Sequence, residues 1–128
     1  MIYLDTSVAL AHLLAEDRRA ADSLWAGSLV ASRLLEYELW TRLNARGLGA
    51  SHGELARRLV ERLAVLEMTP IVLARALEPF PAPVRTLDAL HLASVEFLRR
   101  RGQRVELASY DDRLTAAARS LGIPIAAV

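Results

Sequence analysis

One arrangement occurs at both ends of the 128-residue chain and limits what it can fold into: a short apolar strand, an aspartate, then a helix. Ile2-Tyr3-Leu4 has the side chains of a buried strand, Asp5 ends it, and Thr6-Ser7 precede the apolar-periodic Val8–Leu14. Val105–Tyr110 is followed in the same way by Asp111 and a helix over Asp112–Leu121. An acid at the junction of a strand's C-terminus and a helix's N-terminus lies on the edge where open α/β sheets bind ligands. The fold question is how many more strands join these two. The functional question is whether other acids reach the same edge.

Between them the chain alternates strands with helices. Arg18–Ala26 reads as a second helix closed by Gly27, and Leu29-Val30-Ala31 as a strand. Ser32 caps a long helix to Arg46. Ser51 with Glu54 forms a capping box for a helix through Leu66. Met68–Val72 reads as a short strand broken by Pro70 and leading into a helix through Leu77. Pro79, Pro81 and Pro83 make an extended linker. Thr86 caps a helix from Leu87 to Arg101, and Pro124–Val128 reads as a final edge strand. The pattern is a single α/β domain over residues 1–128, with a parallel sheet covered on both faces.

Composition removes several chemistries. There is no cysteine, which excludes disulfides and thiolate metal sites, and His12, His52 and His91 form no local metal motif. All sixteen basic residues are arginine. Without lysine there is no P-loop site, no Schiff base, and no phosphate-receiver or aspartyl-phosphatase site. An aspartyl phosphatase would also place an acid where Ser7 stands. A net charge of +1 does not announce nucleic-acid binding. No leader and no membrane span are legible, so a cytoplasmic location is expected.

Four acids remain to be explained. Asp88 falls in the first turn of its helix, where the dipole favours negative charge, and Glu38 sits inside the apolar helix of Leu34, Leu35, Leu39, Trp40 and Leu43. Singly, each has an ordinary use: Asp5 and Asp111 as caps, Asp88 at its dipole, Glu38 paired with Arg42. Spacing does not choose between Glu36 and Glu38. Gathered together, they would repel by about 4 kcal/mol per pair at 4 Å and an effective dielectric of 20. Such a cluster needs arginine partners, raised pKa values or a bound cation. Oxygen-only ligation suits Mg²⁺ or Mn²⁺, which polarise phosphoryl oxygens and activate water.

Taken in order, these segments resemble the PIN-domain family, specifically the short toxin ribonucleases called VapC. Tyr3-Leu4-Asp5-Thr6-Ser7 is similar to the opening motif, and Ser32 followed six residues later by Glu38 to the second, which selects Glu38 over Glu36. Leu87-Asp88-Ala89-Leu90-His91-Leu92-Ala93 resembles the third motif, and Ser109-Tyr110-Asp111-Asp112-Arg113-Leu114 the fourth, with Ser109 where threonine is usual. The resemblance implies a three-layer α/β/α sandwich with a parallel sheet of four to five short strands. It also implies a ribonuclease holding Mg²⁺ or Mn²⁺ on Asp5, Glu38, Asp88 and Asp111, and leaving a 5′-phosphate and a 3′-hydroxyl. Ser7, Ser109 and Asp112 would orient the acids or their waters, and Thr6 would serve only its helix. His91 would have a packing or orienting task. Arg85 and Arg113 would contact RNA, whereas Arg99-Arg100-Arg101 with Arg104 complement a helix C-terminus. Trp25 and Trp40 read as core or interface anchors. The implied partners are a VapB-like antitoxin and a second copy of the chain, with no membrane. A PIN-like scaffold that binds without cutting, and a DNA- or structure-specific nuclease, are the alternatives.

Overall fold

The computed structural model describes residues 1–128 and contains four parallel strands in the order β3-β2-β1-β4. The strands are β1 (Ile2–Leu4), β2 (Leu29–Ser32), β3 (Ala64–Leu66) and β4 (Glu106–Ala108). Helices α1 (Thr6–Leu13) and α2 (Asp22–Trp25) connect β1 to β2; α3 (Arg33–Ala45) and α4 (Gly49–Glu61) connect β2 to β3. The return to β4 uses α5 (Pro70–Ala76) and α6 (Thr86–Arg100), and α7 (Asp112–Ser120) follows it.

Period-2 alternation along each strand feeds two separate cores. Leu4, Leu29, Ala31 and Ala108 face a cluster with Val8, Leu13, Leu35, Leu39, Leu43, Ala56 and Leu59 from α1, α3 and α4. Tyr3, Val30 and Leu107 face the opposite way, onto Leu92 and Val95 of α6 and Leu114, Ala117 and Ala118 of α7. The central strands are therefore buried on both sides, as expected of a parallel sheet. The result is an α/β/α sandwich. Trp25 belongs to the first core and Trp40 packs against it. No helix is long and apolar enough to cross a membrane.

Several elements differ from the sequence reading. The helix after Gly49 stops at Glu61, and Ala64–Leu66 forms β3, in register with Val30, Ala31 and Ser32. Three apolar residues at the end of a helical pattern carry no signal separating one more turn from an edge strand. Ser51 and Glu54 form no capping box: Leu48 is the N-cap, Ser51 Oγ donates to its carbonyl, and Glu54 pairs with Arg57 and Arg58. No strand forms at Met68–Val72. Thr69 caps α5 with Pro70 in its first turn, so Pro70 starts a helix instead of breaking a strand. The second helix shrinks to one turn, Asp22–Trp25. Thr86 lies inside α6, whose N-cap is Arg85. The final segment adds a single bridge, Leu107 to Ile125, closed by Leu107 N–H to Pro124 O at 2.9 Å and Ala126 N–H to Leu107 O at 2.8 Å.

Strand order fixes where a ligand can sit. The chain adds β2 and β3 on one side of β1 and then crosses to place β4 on the other, so the topological switch point lies between β1 and β4.

Candidate active site

The switch point is flanked by the two strand–aspartate junctions. Asp5 ends β1 and is the N-cap of α1; Asp111 follows β4 and is the N-cap of α7, accepting from Arg113 N–H at 2.9 Å and Leu114 N–H at 3.2 Å. Ser32, ending β2, caps α3 through Leu34 N–H and sets the phase that turns Glu38 inward. Asp88 enters from the first turn of α6. All four acids line one groove of about 400 Å³, with Thr6, Ser7, Arg42, Arg85 and His91.

Asp5 is nearly buried, and one of its oxygens is fully engaged. Oδ2 accepts from Ser7 Oγ at 2.6 Å, Ser109 Oγ at 2.8 Å and Ser7 N–H at 3.4 Å. The two serines are fixed in turn: Tyr110 N–H donates to Ser7 Oγ and Asp111 N–H to Ser109 Oγ, at 2.9 and 3.0 Å. Oδ1 has no protein donor within hydrogen-bond distance; His91 Nε2 lies 3.8 Å from it.

Glu38 is held by a second chain. Thr6 Oγ1 donates to its Oε1 at 2.9 Å, so Thr6 does more than serve α1. His91 Nε2 meets the same oxygen at 2.6 Å, and His91 Nδ1 meets Tyr3 Oη at 2.7 Å. Arg42 is not the partner of Glu38. Burial lowers the His91 pKa, but Glu38, Asp5 and Asp88 outweigh it, and the net direction is upward from 6.5. Nε2–H therefore donates to Glu38 Oε1 and leaves Oε2 free. Burial also pushes the Tyr3 phenol pKa up, so it stays protonated.

Across the groove Arg85 spans two acids, with Nε 3.2 Å from Asp88 Oδ2 and Nη2 2.9 Å from Asp111 Oδ2. Asp112 and Arg113 lie outside the groove lining; of the adjacent acids, Asp111 faces it. The arginines at the far end of α6 have other contacts: Arg99 with Leu121 O, Arg100 with Glu96, Arg101 over the Phe97 ring.

The whole chain matches this architecture elsewhere. The family model described as "PIN domain" matches residues 2–120. The chain belongs to the PIN-domain family. This PIN domain is 31% identical to a Mycobacterium tuberculosis protein named Ribonuclease VapC47, covering 95% of this chain and 93% of that one. It is 33% identical to Ribonuclease VapC46 of the same species, covering 98% and 96%. Its structure resembles that of M. tuberculosis VapC20, titled a sarcin–ricin loop cleaving toxin, with a TM-score of 0.67, 28% identity and coverage of 91% and 95%. A toxin–antitoxin complex from Klebsiella pneumoniae shares the fold at a TM-score of 0.69 and 16% identity.

The donor set can be tested against a hard cation. Asp5 Oδ1, Glu38 Oε2 and Asp88 Oδ1 have no protein donor, yet none is sealed from solvent, since the one buried side-chain oxygen without a partner is Tyr110 Oη. Three largely buried carboxylates thus each present one open oxygen to the groove. No three acids close into a compact coordination set. The donor type, carboxylate oxygen alone, is the type a hard divalent cation takes.

Proposed function

We propose that this PIN domain is a VapC-type toxin endoribonuclease that cuts RNA phosphodiester bonds with a divalent cation, Mg²⁺ or Mn²⁺, held by Asp5, Glu38, Asp88 and Asp111. The observation that carries this reading is the set of open carboxylate oxygens at the switch point. When bound, such a cation polarises phosphoryl oxygens and lowers the pKa of water for in-line attack.

The chain's own residues prepare the site. Ser7 and Ser109 saturate Asp5 Oδ2, so the carboxylate cannot rotate without losing three hydrogen bonds and Oδ1 stays turned to the groove. Thr6 and His91 do the same for Glu38, holding its Oε1 and leaving Oε2 to the groove. Asp111 spends Oδ1 on capping α7, and its Oδ2 is held by Arg85 Nη2 at 2.9 Å. Arg42 and Arg85 on the groove wall supply the positive charge that draws a phosphate backbone toward an acidic centre. By the same family reading, a small VapB-like antitoxin silences the enzyme and the toxin works as a homodimer.

The test is cleavage of an RNA panel that includes a sarcin–ricin loop stem, the named target of VapC20. Cleavage with Mg²⁺ that disappears in EDTA and in Asp88→Asn is the expected result. Wild-type-like cleavage by Asp88→Asn would refute the metal assignment. Failure of Mg²⁺ both to support cleavage and to raise the melting temperature would favour a binding scaffold.

A further inference from the structure

Arg85 stands where local physics disfavours it. It is the N-cap of α6, a position suited to Ser, Thr, Asp or Asn, yet it makes no side-chain capping bond and brings a cation to the positive end of the helix dipole. A residue that breaks a local rule needs a compensating interaction. Here that interaction is the bridge from Asp88 to Asp111.

The segment leading to Arg85 is anchored at its start, and the Arg85 carbonyl accepts from Ala89 N–H at 2.9 Å. In the preceding segment, the Arg75 guanidinium grips both oxygens of Glu96 at 3.1 and 3.2 Å and stacks on the Phe80 ring at 4.0 Å. It also bonds the carbonyls of Glu78 and Pro79. The Arg85 side chain is 59% exposed. It can swing while its Cα stays fixed.

We propose that Arg85 is an internal counter-ion: it neutralises Asp88 and Asp111 while the groove lacks a divalent cation, is displaced when the cation binds, and then contacts a phosphate of the RNA. This rests on the cation site proposed above. By linkage, removing Arg85 tightens cation binding and weakens RNA binding, opposite effects from a single side chain.

The experiment is Mn²⁺ calorimetry on RNA-free protein at low salt, comparing wild type, Arg85→Gln, Arg85→Lys and Asp88→Asn, with melting temperatures in EDTA and in saturating Mn²⁺. Arg85→Gln should bind Mn²⁺ about three- to tenfold more tightly, the range that one or two exposed ion pairs support. It should melt below wild type in EDTA and level with it in Mn²⁺. Arg85→Lys, a point charge unable to span both acids, should fall between. In a Glu38→Gln background held at a Mn²⁺ concentration that saturates it, adding Arg85→Gln should weaken binding of a single-stranded RNA and reduce the log–log salt slope by about 0.7, one phosphate contact. Unchanged Mn²⁺ affinity, an equal melting loss in EDTA and Mn²⁺, or an unchanged salt slope would each overturn the inference. Mn²⁺ binding that is absent from wild type, or undiminished in Asp88→Asn, would instead overturn the underlying site assignment.

Discussion

Removing one oxygen atom from the centre of the domain should be felt in the groove. Tyr3 has no exposed surface, and its hydroxyl meets His91 Nδ1 at 2.7 Å, with His91 itself 2% exposed. Tyr3→Phe keeps the ring, so no cavity larger than a hydroxyl opens in the second core. What is lost is a buried hydrogen bond, and the ring nitrogen left unpartnered carries a desolvation penalty of about 1–3 kcal/mol. Burying Phe spares the desolvation of a phenol, which returns part of that cost. The expected net loss is about 1.5 kcal/mol, or about 4–8 °C in melting temperature for a domain of this size. With the imidazole released at one end, Glu38 loses its fixed partner, and cation affinity should fall by about tenfold, as outer ligand partners typically cost. Urea unfolding in EDTA, where the slope m should be unchanged, gives the first quantity; Mn²⁺ calorimetry gives the second. A stability within about 0.3 kcal/mol of wild type together with unaltered Mn²⁺ affinity would refute the idea that Tyr3 positions Glu38 through His91.

Two further expectations concern other parts of the molecule. The His91 pKa is raised on folding, so in EDTA its stabilising contribution is complete below 6.5 and is lost as pH rises through the folded value; urea midpoints of wild type should fall over that window, and His91→Gln should flatten the decline. If His91→Gln leaves the slope of midpoint against pH untouched, another group carries it. Gly53 lies inside α4, where alanine would gain about 1 kcal/mol of helix propensity, but a Cβ there would meet Trp40 Cη2 at 2.8 Å. Overpacking of that kind costs about 1–3 kcal/mol, so Gly53→Ala should destabilise, and combining it with Trp40→Leu should reverse the sign relative to Trp40→Leu alone. A stabilising Gly53→Ala in the wild-type background would show that the ring moves freely.

The parts of the site legible in the sequence are those with local causes. Asp5 and Asp111 are helix caps, Asp88 sits in a first turn, and Ser32 caps the helix that carries Glu38; each has a signature within a few residues. The partners of Glu38 have none. His91 is 53 residues away from it and Tyr3 is 88 from His91, so only the folded sheet can say that the three form a chain. Thr6 was masked by an adequate local use as a helix residue. Arg85 was expected only to contact RNA, because its two carboxylate partners come from different elements. For β3, the difficulty was length, since three residues give no period to read.

The crossing of the chain from β3 back to β4 has a consequence for when the groove can form. Asp5, the first acid made, has a completed groove only after β4 pairs beside β1 through Ile2–Glu106, Tyr3–Leu107 and Leu4–Ala108. Until then Asp5 lacks the hydroxyl of Ser109, and Asp111 has no place to stand. A partly synthesised chain, or one cleaved before residue 105, carries three of the four acids but no switch point between strands. Pairing of residues a hundred positions apart carries a loop-closure cost that slows folding. A chain arranged this way has no complete groove until β4 is in place beside β1.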